Sequence, residues 1–152
     1  MTNSWSCVLD AAATVVGCEP EDLIEFIGHD GSEIIYPGLK DPANRKGFHI
    51  QEILDAVMRL GYGLIPIEAR PVQIILENHT DYYEVPVGVE RFYNHLKDHN
   101  GIIIGKNPSG LYHAVAWVDN KIIDPIGRIY GLDSCKFDIK IFWRLVKISI
   151  SL

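Results

Sequence analysis

Cysteine is scarce in this 152-residue chain, with three in all: Cys7, Cys18 and Cys135. An odd count without a Cys-x-x-Cys pair beside histidines excludes a disulfide framework and the usual zinc spacing, so reduced thiols are expected. Basic residues are in deficit, 14 Lys+Arg against 20 Asp+Glu, for a net charge of −6. A surface that displaces counterions from phosphates needs the opposite balance, and no nucleic acid partner is expected. Only 136–152 leans positive, and there Lys136, Lys140, Arg144 and Lys147 are spaced among Ile, Phe and Trp as in a strand, not massed as in a polybasic anchor. Apolar runs of 18 residues are absent, and the first apolar stretch carries Asp10 and no preceding Lys or Arg. Neither a membrane span nor a signal peptide is read, so no membrane partner is expected and the expected location is cytoplasmic. With no repeat, low-complexity tract or linker, residues 1–152 should form a single domain. It should be a monomer, or a weak homodimer if the terminal strand near "KISISL" pairs with another chain.

What is present is an α+β pattern, N-terminal helices followed by a mainly antiparallel β-sheet. A first helix is expected from about Cys7 to Val16, with Leu9, Ala12, Ala13 and Val16 at helical spacing, Gly17 as its stop and Ser4 or Ser6 as its cap. "EPEDLIEFIG" gives a second, with Pro20 and acidic residues in its first turn. After a Pro- and Gly-rich excursion, "HIQEILDAVMRL" sets Ile50, Ile53, Leu54, Val57 and Leu60 on one face. "YGLIPIEA" and "PVQIIL" then read as strands interrupted by Pro66 and Pro71, and "VERFYNHLKDHNG" as a helix closed by Asn100 and Gly101. "GIIIGK", "YHAVAWV", "KIIDPI" and "FDIKIFWRLVKISIS" follow as strands.

Cys7 falls at the start of the first helix, where unpaired backbone N–H groups and the helix dipole favour a thiolate. A nucleophile there needs a base, and His113 opens an apolar strand directly after the turn-rich "KNPSGLY". Register supplies a third group. If Asp119-Asn120 is a two-residue hairpin turn, Val118 faces Lys121, Val115 faces Asp124 and His113 faces Ile126, which puts His113 and Asp124 on one face as diagonal neighbours. A three-residue loop would put them on opposite faces. Asp124 could instead simply start the turn "DPIG". His49 reads as a helix cap, and His29 as a contact with the end of the second helix. His95 and His99, one turn apart, lack a third ligand, so no metal is expected. Trp5 and Trp117 either wall a substrate groove beside the site or fill the core.

"SCVLDAAATVVG", then "GFHIQEILDAVMRLGYGLIPIE", then "GLYHAVAWVDNKIIDPIG" resemble, in order and spacing, the papain-like cysteine peptidases, and among them the bacteriocin-leader-processing (double-glycine) peptidases, over about residues 3–131. The resemblance implies a papain-like fold, Cys7 as nucleophile, His113 as general base and Asp124 as the residue that orients it, with no cofactor. The chain departs from the family's Asp-Cys-Gly at Ser6-Cys7-Val8, and Met1 stands where an oxyanion-hole Gln is usual. Asn3 is the nearest side-chain amide, and the Cys7 N–H is the other candidate donor. The expected activity is hydrolysis of a peptide, isopeptide or related amide bond in a peptide or protein substrate, through an acyl-enzyme. An acyltransferase or deamidase using the same triad, and a non-catalytic protein-binding (inhibitory) module on the same fold, remain alternatives.

Overall fold

The computed structural model describes residues 5–69, 72–74, 82–84, 89–125 and 127–148. Three helices come first, α1 (Cys7–Val16), α2 (Pro20–Ile27) and α3 (Ile50–Arg59). Gly17 and Gly28 close the first two in the left-handed conformation, with φ of 79° and 90°, where a side chain would be strained. Proline at the first turn and a reciprocal capping box between Glu19 and Asp22 start α2. α3 starts on a second box, in which His49 Nδ1 accepts from Gln51 N–H and Glu52 Oε1 accepts from His49 N–H. His49 is thus a cap, as its position suggested.

The strands follow: β1 (Tyr62–Glu68), β2 (Val72–Ile74), β3 (Tyr82–Glu84), then α4 (Val89–Leu96), β4 (Gly101–Lys106), β5 (Tyr112–Val118), β6 (Lys121–Ile123), β7 (Ile129–Tyr130) and β8 (Asp138–Lys147). Six of them form one sheet in the order β1-β8-β4-β5-β6-β7, with every neighbouring pair antiparallel, while β2 and β3 pair separately. The architecture is α+β. Pro66 does not interrupt β1, which runs unbroken from 62 to 68 opposite β8. As the outermost strand, β1 can carry a residue without an N–H. α4 ends at Leu96, and Gly101 begins β4 instead of closing the helix. The short β7 and the 3₁₀ turn Leu132–Ser134 have no counterpart in the sequence pattern.

Two apolar layers flank the sheet. On one face Leu9, Ala11–Ala13, Leu23, Ile53 and Val57 pack against Ile102, Ala114 and Ala116. Alanine on both sides, in α1 and in β5, lets the helix lie close to the strand, and this brings the start of α1 to the His113 end of β5. On the other face Phe92 and Leu96 of α4 pack with Ile103, Val115, Trp117, Ile122 and Phe142. β5 is buried on both sides, hence its near-continuous apolar run. Glycine is demanded at 101, where a Cβ would lie 2.2 Å from Trp143 O.

Candidate active site

α1 supplies Cys7 as its first residue. Ser6 occupies the cap position, but its hydroxyl donates to Asp10 Oδ2 at 2.9 Å and makes no cap hydrogen bond. The N–H groups of the first turn have no intrahelical acceptor. With the positive end of the dipole, they favour a negative oxygen beside the thiol. Ser4 and Asn3, the candidate cap and the candidate oxyanion donor, lie outside the described residues.

β5 supplies His113 and its hairpin partner supplies Asp124. Asp119 and Asn120 form the two-residue turn, at φ 51° and 62°, and Val118, Trp117 and Ala116 pair with Lys121, Ile122 and Ile123. Such a turn needs positive φ at both centres, which Asp and Asn tolerate better than most residues. Asn120 also accepts from Asp98 N–H at 2.8 Å, and Asn100 from Asp119 N–H at 3.1 Å, so the turn is pinned to the α4–β4 connection. The register expected from sequence therefore holds over those three pairs; Ile126, the expected partner of His113, lies outside the described residues. Asp124 then leaves the strand, with its N–H donating to Arg128 O and its carbonyl accepting from Gly127 N–H, so it begins a turn as well as facing His113.

His113 Nε2 lies 3.2 Å from Asp124 Oδ2. With that nitrogen engaged, Nδ1 is left for the Cys7 thiol. The hydrogen bond with Cys7 is the largest influence on His113 and raises its pKa; burial lowers it, and the hydrogen bond and charge of Asp124 raise it again, for a net rise above the ordinary histidine value of 6.5. Asp124 is 8% exposed and therefore little screened by water. The three residues expected from the sequence are brought together.

Two further side chains hold this arrangement. Phe137 sets its ring edge-on to His113, with centroids 6.0 Å apart at 84°. Tyr130 stands beside the Asp124 carboxylate, and burial first, then the Asp124 and Cys135 charges, raise its pKa while Arg128 opposes the rise. Neither was found from sequence, because both lie in the irregular 127–137 stretch where neither period operates. Burial raises the Cys18 thiol, with Asp22 and Glu19 adding to it, and burial also raises that of Cys135, whose Sγ lies 3.5 Å from Phe137 O.

The tryptophans do not form a groove together. Trp117 is 4% exposed, and its indole N–H donates to Leu96 O at 2.8 Å, in the layer under α4. It lies four residues along β5 from His113, roughly 13 Å at strand rise. Reading it as a groove wall is corrected to a core residue. Trp5, two residues before Cys7, donates to Asp30 O at 3.1 Å and lies under the Arg45 guanidinium at 4.7 Å, so it ties the start of α1 to the 30–47 excursion. His29 follows Gly28, the C-cap of α2. It stacks on Phe48, accepts from Gly31 N–H through Nδ1, and meets Glu52 through Nε2 at 2.5 Å, tying the α2–α3 connection to the start of α3. His95 Nδ1 faces Arg144 Nη1 at 3.2 Å, and burial, then the Arg144 and Arg91 charges, lower its pKa.

Among the described residues no group of three or more His, Cys, Asp or Glu side chains is placed to hold a metal, and no helix is long and apolar enough to cross a membrane. No protein family, no curated protein and no solved structure matches the chain.

Proposed function

We propose that this chain is a thiol hydrolase of peptide, isopeptide or related amide bonds, with Cys7, His113 and Asp124 acting as a papain-like triad. The observation that carries the reading is a thiol at a helix start set beside an imidazole that is itself 3.2 Å from a buried carboxylate. The order of the three groups, helix first and antiparallel strands after, is that of the peptidases the sequence resembles.

Cys7 passes its proton to His113 and Sγ attacks the amide carbon, forming a C–S bond while the carbonyl electron pair moves to oxygen. The first turn of α1 receives that oxyanion. As the pair returns, the C–N bond breaks, and His113 gives its proton to the departing nitrogen. Water, deprotonated by His113, then attacks the thioester; the C–S bond breaks and the thiolate recovers the proton. Asp124 fixes the ring tautomer and favours the imidazolium that forms between these steps.

The test is incubation of the wild type, Cys7→Ala and His113→Ala with an amine-blocked peptide mixture, with mass-spectrometric reading of new N-termini and of acylated Cys7. New termini should appear with the wild type, disappear in Cys7→Ala and fall by about 10²–10⁴ in rate in His113→Ala. Termini produced equally by Cys7→Ala, or none from the wild type, would overturn the reading.

A further inference from the structure

A cleft of about 580 Å³ opens beside Asp124 and Phe137, the two side chains that hold His113, and Cys7 is not among its walls. Because His113 must hand its proton to the departing amine, the leaving half of a substrate lies on the His113 side of the thiol. The cleft is the next space on that side. Its chemistry is mixed. Phe137, Tyr130, Pro108 and Ile129 make an apolar surface, and Ile129 is 66% exposed. Arg128 and Lys136 bring two positive charges, and neither is ion-paired among the described residues. Of the carboxylates in the same stretch, Asp124 is engaged with His113 and Asp138 with Lys140 at 2.7 Å, while Asp133 is exposed. In a chain of net charge −6, a pair of open cations beside the site selects for the opposite charge where most of the surface repels it.

We infer that this cleft receives the leaving-group half of the substrate, and that preferred substrates carry an aspartate or glutamate within the first few residues after the scissile bond, recognised by Arg128 and Lys136. The inference rests on the hydrolase reading for the word "leaving", while the cleft's preference for an acidic peptide can be measured without turnover.

Two measurements decide it. In the first, peptides cut from an amine-blocked chymotryptic proteome mixture by the wild type and by Arg128→Glu/Lys136→Glu are read for the residues after each cut. Asp and Glu should be enriched several-fold there for the wild type, and the double variant should shift the acidic-to-basic ratio by about tenfold toward Lys and Arg. Cuts without acidic enrichment, or enrichment unchanged in the double variant, would overturn the inference and leave the hydrolase reading standing. In the second, end-capped pentapeptides rich in Glu or in Lys are titrated into the wild type and followed by NMR. Shifts at residues 107–108 and 128–137 with the Glu peptide only would support the cleft assignment even if no peptide were cut. No shifts with the Glu peptide, or equal shifts with both, would overturn it.

Discussion

Replacing Asp124 by Asn keeps the size of the side chain and removes its charge, so it isolates what the carboxylate does for His113. A hydrogen bond to a charged partner contributes about 1.5–3 kcal/mol and a neutral one about 0.5–1.5 kcal/mol. The part that depends on both groups being charged is therefore about 1–2 kcal/mol. The His113 and Asp124 side chains are 26% and 9% exposed, which trims it toward the lower figure. The sign follows from the direction of the shift. The pKa of His113 is raised in the folded protein, by Cys7 first and then, against burial, by Asp124. The stability this supplies is fully present below the unfolded value near 6.5 and fades as pH rises through the higher folded value. Asp124→Asn removes one contribution to the rise, so the wild type's advantage should be largest near about pH 6 and shrink by about 1 kcal/mol by about pH 9. Urea midpoints of both proteins across that range measure it, and the other histidines cancel in the difference. For a chain of this size the change equals roughly 2–4 °C in melting temperature. An advantage independent of pH, or one that grows with pH, would refute the ion pair.

Tyr130→Phe removes the hydroxyl beside Asp124 and should displace the pH profile of Cys7 alkylation, at a cost of no more than about 1 kcal/mol in urea unfolding. Trp117→Phe removes the 2.8 Å donor to Leu96 O, which keeps the His99 N–H at 3.3 Å, and should destabilise by about 0.5–1.5 kcal/mol while leaving the Cys7 alkylation rate unchanged; slowed alkylation would return Trp117 to the site. Gly105→Ala would set a Cβ 2.3 Å from Asp138 O and 2.7 Å from the Phe137 ring. It should lower stability by about 1–3 kcal/mol in a thermal melt, and by moving Phe137 off His113 it should also slow Cys7 alkylation.

The helix start at Cys7 and the shared face of His113 and Asp124 could be anticipated because two short-range rules reach them. Helical spacing with Gly17 at the end places Cys7 at a helix start, and the Asp119-Asn120 turn sets a register in which one residue's slip would have reversed the face of Asp124. Both rules act over a few residues, and nothing tertiary overrides them. Pro66 reads as an interruption because a single sequence does not reveal that β1 has an open edge; its place beside β8 depends on a strand some eighty residues later. Trp117 illustrates the same limit. It follows His113 by four residues on β5, but the carbonyl that takes its N–H comes from α4. The cleft beside Asp124 is built from the 127–137 stretch, where a two-residue strand and a 3₁₀ turn leave no period to follow.

The central claim is that His113 activates Cys7, and alkylation by iodoacetamide across pH, with mass-spectrometric mapping of each cysteine in the wild type and in His113→Ala, tests it most directly. Cys7 should label fast below about pH 7, well ahead of Cys18 and Cys135, whose thiols burial holds in the protonated form, and should slow to their rate in His113→Ala. A Cys7 that labels no faster than Cys135, or at the same rate with and without His113, would contradict the account.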